Sequence, residues 1–101
     1  MNYLTNVQIG GSDGDFTARA TYDADAEARL RVSWRGDFSV TVRGAASEGE
    51  GAASVVAPAG YGQVAVLRLH IEATGAEASC ALVFSLVGTG RQVVRVVQVE
   101  P

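Results

Sequence analysis

Ala28-Arg29-Leu30-Arg31-Val32-Ser33-Trp34-Arg35, Gly36-Asp37, Phe38-Ser39-Val40-Thr41-Val42-Arg43: apolar and polar side chains alternate through most of this stretch. Leu30, Val32 and Trp34 share one side of an extended chain, and Arg29, Arg31, Ser33 and Arg35 share the other. Phe38, Val40 and Val42 repeat the scheme against Ser39, Thr41 and Arg43. Successive side chains of a strand point to opposite faces, so a period of two marks strands buried on one side. Gly36-Asp37 supplies residue types that two-residue turns accept, so the stretch reads as an antiparallel hairpin.

Outward from this stretch the same pattern continues. Strands are expected at 3–9, 15–22, 54–57, 63–73, 78–87 and 92–99, beside 28–35 and 38–43. Between them lie turn-forming runs such as Gly10-Gly11-Ser12-Asp13-Gly14, Pro58-Ala59-Gly60-Tyr61-Gly62 and Gly88-Thr89-Gly90-Arg91, with a long Gly/Ala/Ser/Glu loop from Gly44 to Ala53. Short strands with frequent turn signals indicate an all-β sandwich or barrel. No segment sustains a helical period long enough to stand alone. The expected fold is all-β: one domain over 1–101, an antiparallel two-sheet sandwich of seven to eight strands. Its core should hold Phe16, Leu30, Val32, Trp34, Phe38, Val40, Leu67, Leu69, Ile71, Leu82, Phe84 and Leu86. With Trp34 in that core, Trp34→Ala is expected to cost about 3 to 5 kcal/mol.

Composition narrows the classes. Of 101 residues 48% are apolar and 19% charged, which is the balance of a folded chain. No apolar run reaches the roughly 18 to 20 residues that span a bilayer, so no membrane insertion is expected. Met1-Asn2-Tyr3-Leu4-Thr5 lacks the basic-then-apolar pattern of a signal peptide. The compartment stays open between an intracellular or virion-borne protein and a mature surface domain. A net charge of -3 with no lysine lacks the basic footprint that nucleic acid or an anionic membrane requires. Cys80 is the one cysteine, so no internal disulfide forms, and its parity puts the thiol inward.

The last three expected strands carry valines on both parities. Val64 and Val66 oppose Leu67, Leu69 and Ile71; Val83 and Val87 oppose Cys80, Leu82, Phe84 and Leu86; Val94 and Val96 oppose Val93, Val97 and Val99. Two physical causes fit. β-Bulges near residues 66 and 96 would switch faces mid-strand. Alternatively, the outer face is covered by a neighbouring subunit or a larger host. On the second reading Val64, Val66, Val83, Val94 and Val96 form an interface, together with the unpaired edge of the last strand.

The chemistry-bearing residues lie in loops. If each strand crosses the sandwich once, Asp23, Asp25, Glu27, Glu48, Glu50 and Glu77 gather at one end. Asp13, Asp15, Arg35, Asp37, Tyr61 and Arg91 then gather at the other. Asp23-x-Asp25-x-Glu27 spaces three carboxylates so that alternate oxygens converge, a calcium reading, although no EF-hand loop accompanies it. The alternative is solvated acids that keep the surface soluble. Arg35-Gly36-Asp37 at the expected hairpin tip spells the integrin-binding tripeptide, and Gly-Asp also has a turn-forming reason to stand there. His70 falls on an outer face between Arg68 and Glu72, with no nucleophile placed beside it, so no catalytic residue is expected. Tyr3 and Tyr61 remain as exposed aromatic platforms for carbohydrate.

Leu30-Arg31-Val32-Ser33-Trp34 resembles the tryptophan-bearing strand of immunoglobulin-like and fibronectin type III-like domains. The resemblance covers one strand of eight. It implies a buried Trp34 packed across two sheets, and it makes Tyr61, ahead of 63–73, the counterpart of a tyrosine corner. The disulfide of antibody domains is missing. Such domains serve as adhesive, spacer or decorating modules on cell surfaces, secreted enzymes and phage particles, and the fold alone carries no function. The leading expectation is a non-catalytic structural or protein–protein interaction module, self-associating or bound to a protein partner. The alternative is a loop-mediated module for carbohydrate or calcium-dependent adhesion.

Overall fold

The computed structural model describes residues 1–100, and within them every element is a strand. They are β1 (Tyr3–Ser12), β2 (Asp15–Ala24), β3 (Ala28–Trp34), β4 (Phe38–Val42), β5 (Ala46–Ser47), β6 (Ala52–Ala57), β7 (Gly60–Ala73), β8 (Ser79–Leu86) and β9 (Gln92–Gln98). All pairings are antiparallel. One sheet runs β1-β2-β7-β4 and the other β5-β6-β3-β8-β9, packed face to face as a sandwich. No helix among the described residues is long and apolar enough to cross a membrane.

Alternation produces the core. In β2, Phe16, Ala18, Ala20, Tyr22 and Ala24 are buried while Thr17 and Arg19 are exposed. In β8, Cys80, Leu82, Phe84 and Leu86 are each fully buried. Ten of the twelve expected core residues are buried, and Trp34 and Val40 are half-buried against the rest. Leu4, Val7, Val93 and Val97 complete the interior from the first and last strands.

The stretch at 28–43 forms its two strands, but they are not a hairpin. β3 pairs with β6 and β8, whereas β4 pairs with β7 in the opposite sheet. Gly36-Asp37 is therefore a corner that passes the chain from one layer to the other. Gly36 has φ +91°. The Thr74 N–H donates to the Asp37 carbonyl at 2.8 Å, and the Asp37 N–H to Glu77 Oε1 at 3.3 Å, pinning the corner to the β7–β8 turn. Parity reports only which side of a strand faces the core. A two-residue hairpin would set Arg35 opposite Phe38 and Trp34 opposite Ser39, placing the two apolar sets on opposite faces of one sheet, whereas the crossover lets both sets face the core. The true two-residue hairpin is Asp13-Gly14, where φ values of 56° and 83° give the type I′ geometry that Asp-Gly favours. β1 consequently runs on through Gly10, Gly11 and Ser12, which pairs with Asp15.

The two expected bulges are also absent from their positions. β7 keeps register through Val66, and β9 keeps register through Val96. Register shifts fall instead between Leu4 and Asn6 in β1 and between Tyr22 and Ala24 in β2. The off-parity valines thus lie on outward sides of regular strands.

The two open margins of the sandwich differ. Where β1 borders β9, Arg91 Nε donates to the Leu4 carbonyl at 2.6 Å and Arg95 Nε to the Val7 carbonyl at 2.8 Å. Arg95 also reaches Asn6 Oδ1 and the Val94 carbonyl, each at 2.8 Å, so one guanidinium holds both edges. At the other margin, between β4 and the β5–β6 ribbon, an open groove of about 580 Å³ is lined by Trp34, Phe38, Val40 and Val42 among others.

Candidate functional site

β8 and β9 present nine side chains outward: Ser79, Ala81, Val83, Ser85 and Val87 (just past the end of β8), with Gln92, Val94, Val96 and Gln98. None is charged. Val83 stands directly across from Val94, and Ala81 from Val96. Val94 and Val96 keep 50% and 59% of their surface exposed, although isolated β-branched residues of this kind gain nothing from water. The strip exists because valine suits a pleated backbone and nothing in the chain lies over it. Its long side is bordered by β3, whose outward Arg29 and Arg31 are already engaged. Arg29 Nε donates to Ser54 Oγ at 3.0 Å, and Arg31 lies 3.7 Å from Glu48.

Val64 and Val66 do not join this strip. They belong to β7, in the other sheet, opposite Thr21 and Arg19, with 53% and 49% of their surface exposed. The five expected interface valines therefore divide, three on one face of the sandwich and two on the other. Around Val64 and Val66 the outward side chains include Arg19, Arg68, His70 and Glu72, so that face is charged.

The single acidic end is not formed either. Asp23 Oδ1 accepts from the Gly62 N–H at 2.7 Å. Asp25 pairs with the Met1 amine at 2.5 Å and accepts from the Tyr61 hydroxyl at 2.5 Å. Those two hydrogen bonds pull the Asp25 carboxyl below its ordinary range, and the bond to Asp25 pushes the Tyr61 phenol up. Glu77 lies past the far end of the 14-residue β7, and Glu48 and Glu50 lie in the turn between β5 and β6. The cause is β5: a two-residue strand missing from the expected set reverses the direction of every later strand. Glu48, Glu50, Tyr61, Glu77 and Arg91 exchange ends as a result. Among the described residues no three His, Cys, Asp or Glu side chains are grouped to hold a metal, so Asp23, Asp25 and Glu27 do not converge as a calcium site.

Other candidates take their places as follows. Arg35-Gly36-Asp37 occupies the pinned cross-sheet corner rather than a projecting tip. His70 Nδ1 lies 2.7 Å from Asp15 and Nε2 3.1 Å from Glu72, and the two bonds, Asp15's foremost, raise the imidazole pKa. Cys80 is buried in the other sheet, its thiol pushed up by loss of solvent. Tyr3 is exposed under the Arg91 guanidinium, 5.0 Å from the ring centre, and Tyr61 is exposed at the same end. The tyrosine whose hydroxyl bonds back to the main chain is not Tyr61 but the buried Tyr22, which donates to the Pro58 carbonyl at 2.8 Å. The Arg95 clasp went unforeseen, though an arginine at inward parity between Val93 and Val97 was its signal.

Comparison of the chain with protein-family models and with curated proteins finds no match.

Proposed function

We propose that this protein is a non-catalytic interaction module of immunoglobulin-like build that docks through the outer face of β8 and β9. One observation carries the reading: Val94 and Val96 stand exposed beside a half-buried Val83 on an uncharged two-strand strip, while the facing sheet keeps charged side chains on its outer surface. Exposed apolar patches bounded by polar residues are characteristic of docking surfaces. The build is supported by strand order. Set β5 and β6 aside, and the remaining strands fall as β1-β2-β7-β4 against β3-β8-β9, the order of a constant-type immunoglobulin sandwich. The β5–β6 ribbon is then an insertion that extends the second sheet beside β3.

The test is affinity capture from source-cell lysate with three proteins: wild type, Val94→Lys/Val96→Lys, and Val64→Lys/Val66→Lys. The reading expects a protein held by wild type and by the Val64/Val66 variant and lost from the Val94/Val96 variant. Identical capture by all three would contradict it.

A second reading rests on a different observation. Tyr3 and Tyr61 lie at the same end of the molecule, with Asp25 bonded to Tyr61 and Arg91 over Tyr3. Exposed aromatic rings beside carboxylate and guanidinium groups suit a glycan ligand. Glycan-array binding that disappears in Tyr61→Ala would favour this end over the valine strip.

A further inference from the structure

We infer that the groove between β4 and the β5–β6 ribbon binds an extended peptide segment of another protein, taken up as a fifth strand on the β4 edge. This site is separate from the β8–β9 face and does not depend on it. Its first support is backbone chemistry. The Thr74 N–H donates to the Asp37 carbonyl at 2.8 Å and the Arg43 N–H to the Arg68 carbonyl at 2.9 Å. The odd residues from 37 to 43 therefore turn their main-chain groups to β7. Alternate residues of an antiparallel strand bond to opposite sides, so Phe38, Val40 and Val42 face the open edge. The Phe38 N–H turns back to the Gly36 carbonyl at 2.9 Å, and the Val42 carbonyl accepts from the Ala45 N–H at 3.2 Å. Four groups keep no partner among the described residues: the Phe38 carbonyl, the Val40 N–H and carbonyl, and the Val42 N–H. One antiparallel strand satisfies all four, its central residue doubly bonded to Val40. The margin at β1 and β9 is clasped by Arg91 and Arg95, whereas β4 has no proline, bulge or charged side chain from Phe38 to Val42.

The place for such a strand is already walled. β4 ends a four-stranded sheet and β5 a five-stranded one, and β1 lies against β9 at the other margin. The second sheet thus overhangs the first by one strand. Ser47 of β5 stands opposite the buried Ala53, on the core face of its sheet, yet it is exposed. All five residues of β4 line the groove, with Ala45, Ser47, Gly49 and Ala53 across from them. These small residues leave about 580 Å³, a volume in the range of ligand sites, for inward side chains of the added strand. Directly opposite residues share a face, so those across from Phe38, Val40 and Val42 are apolar and those across from Ser39 and Thr41 are polar. A second copy does not suit the site: pairing two β4 edges would drive both overhanging β5 strands into one space.

Charge sets the direction. Asp37, Glu50 and Glu77, with Arg35, lie at the Phe38 end of the groove. Arg43 and Arg68 lie at the Val42 end, where Asp15 is taken up by His70. An antiparallel occupant therefore carries an acid before its apolar residues and a base after them.

Titration of the isotope-labelled full chain with the capped peptide Glu-Val-Thr-Ile-Ser-Val-Lys, followed by amide NMR, tests the inference. Shifts are expected in 38–42 and 45–53. The Val40 and Val42 amides should gain protection from hydrogen exchange, and that of Thr41, already bonded to β7, should not. Methylating the isoleucine nitrogen of the peptide removes the donor to the Val40 carbonyl and should weaken binding about tenfold. Val40→Pro deletes only an outward N–H, which an edge strand tolerates, and should weaken binding to a similar degree. Exchanging the terminal Glu and Lys should weaken it about threefold. No shift at millimolar peptide, shifts centred on β8 and β9, or undiminished affinity of the methylated or charge-exchanged peptide would overturn the inference. A chain whose mass doubles without peptide while Val40 gains protection would put a second copy in the groove and overturn it too.

Discussion

Phe84 and Trp34 are both aromatic residues at inward parity, yet they occupy different environments. Phe84 is fully buried opposite Val32, and Trp34 is half-buried at the groove beside β4. Phe84→Ala is expected to cost about 3 to 5 kcal/mol, and Trp34→Ala about 1 to 2 kcal/mol, less than the sequence led one to expect. Urea denaturation of the two variants checks the order. Gly14 carries a separate constraint. Its φ is +83°, and a Cβ there would meet the Ile71 carbonyl oxygen at 2.7 Å. Gly14→Ala should lose at least about 1 kcal/mol, because backbone cannot give way as a side chain can. Gly10→Ala, in open space, should stay within about 0.5 kcal/mol. His70 gives the molecule a pH dependence. Its imidazole pKa is raised above 6.5 by Asp15 and then Glu72, so the ion pairs contribute fully below pH 6.5. That contribution is lost as pH rises through the higher folded value. The Tm difference between wild type and His70→Gln should therefore shrink as pH rises from 6.5, and a difference that grows would contradict the assignment.

Among the elements, the β1–β9 margin shows how an edge strand is kept from pairing with strangers. Arg91 and Arg95 occupy the Leu4, Thr5 and Val7 carbonyls from across the sandwich. Arg95→Ala should cost about 1 to 2 kcal/mol, since its bonds are charge-assisted but partly solvated. The same change should raise amide hydrogen exchange along β1 more than along β2. Equal protection in both strands would show that the clasp holds nothing. Most strands were legible in the sequence because alternation is local: Leu30, Val32, Phe38, Leu82 and Phe84 announce their own faces. The partners were not legible. β2 finds β7, and β4 finds β7, through pairings that depend on distant residues. Gly36-Asp37 and Asp13-Gly14 look alike as turn signals, and only the second has both central residues at positive φ.

At the scale of the whole molecule, β5 decides what gathers where. Two residues, Ala46 and Ser47, pair with β6 and reverse the chain, and no periodicity can be read from so short a run. That reversal places Tyr61 beside Asp25 and sends Glu77 to the far end. The exposed valines were legible one by one from their parity. Their division between two faces was not, because it depends on β7 and β8 lying in different sheets. The uncharged outer strip of β8 and β9 and its separation from the charged face of the other sheet both depend on the chain changing layers at Gly36-Asp37. Solution NMR reads that change directly. Cross-strand backbone contacts should join Val40 to Ile71 and Thr41 to His70, as β4 pairs with β7. Contacts joining Val32 to Thr41 and Ser33 to Val40 instead would mean a hairpin at 28–43, and the two faces described here would not exist.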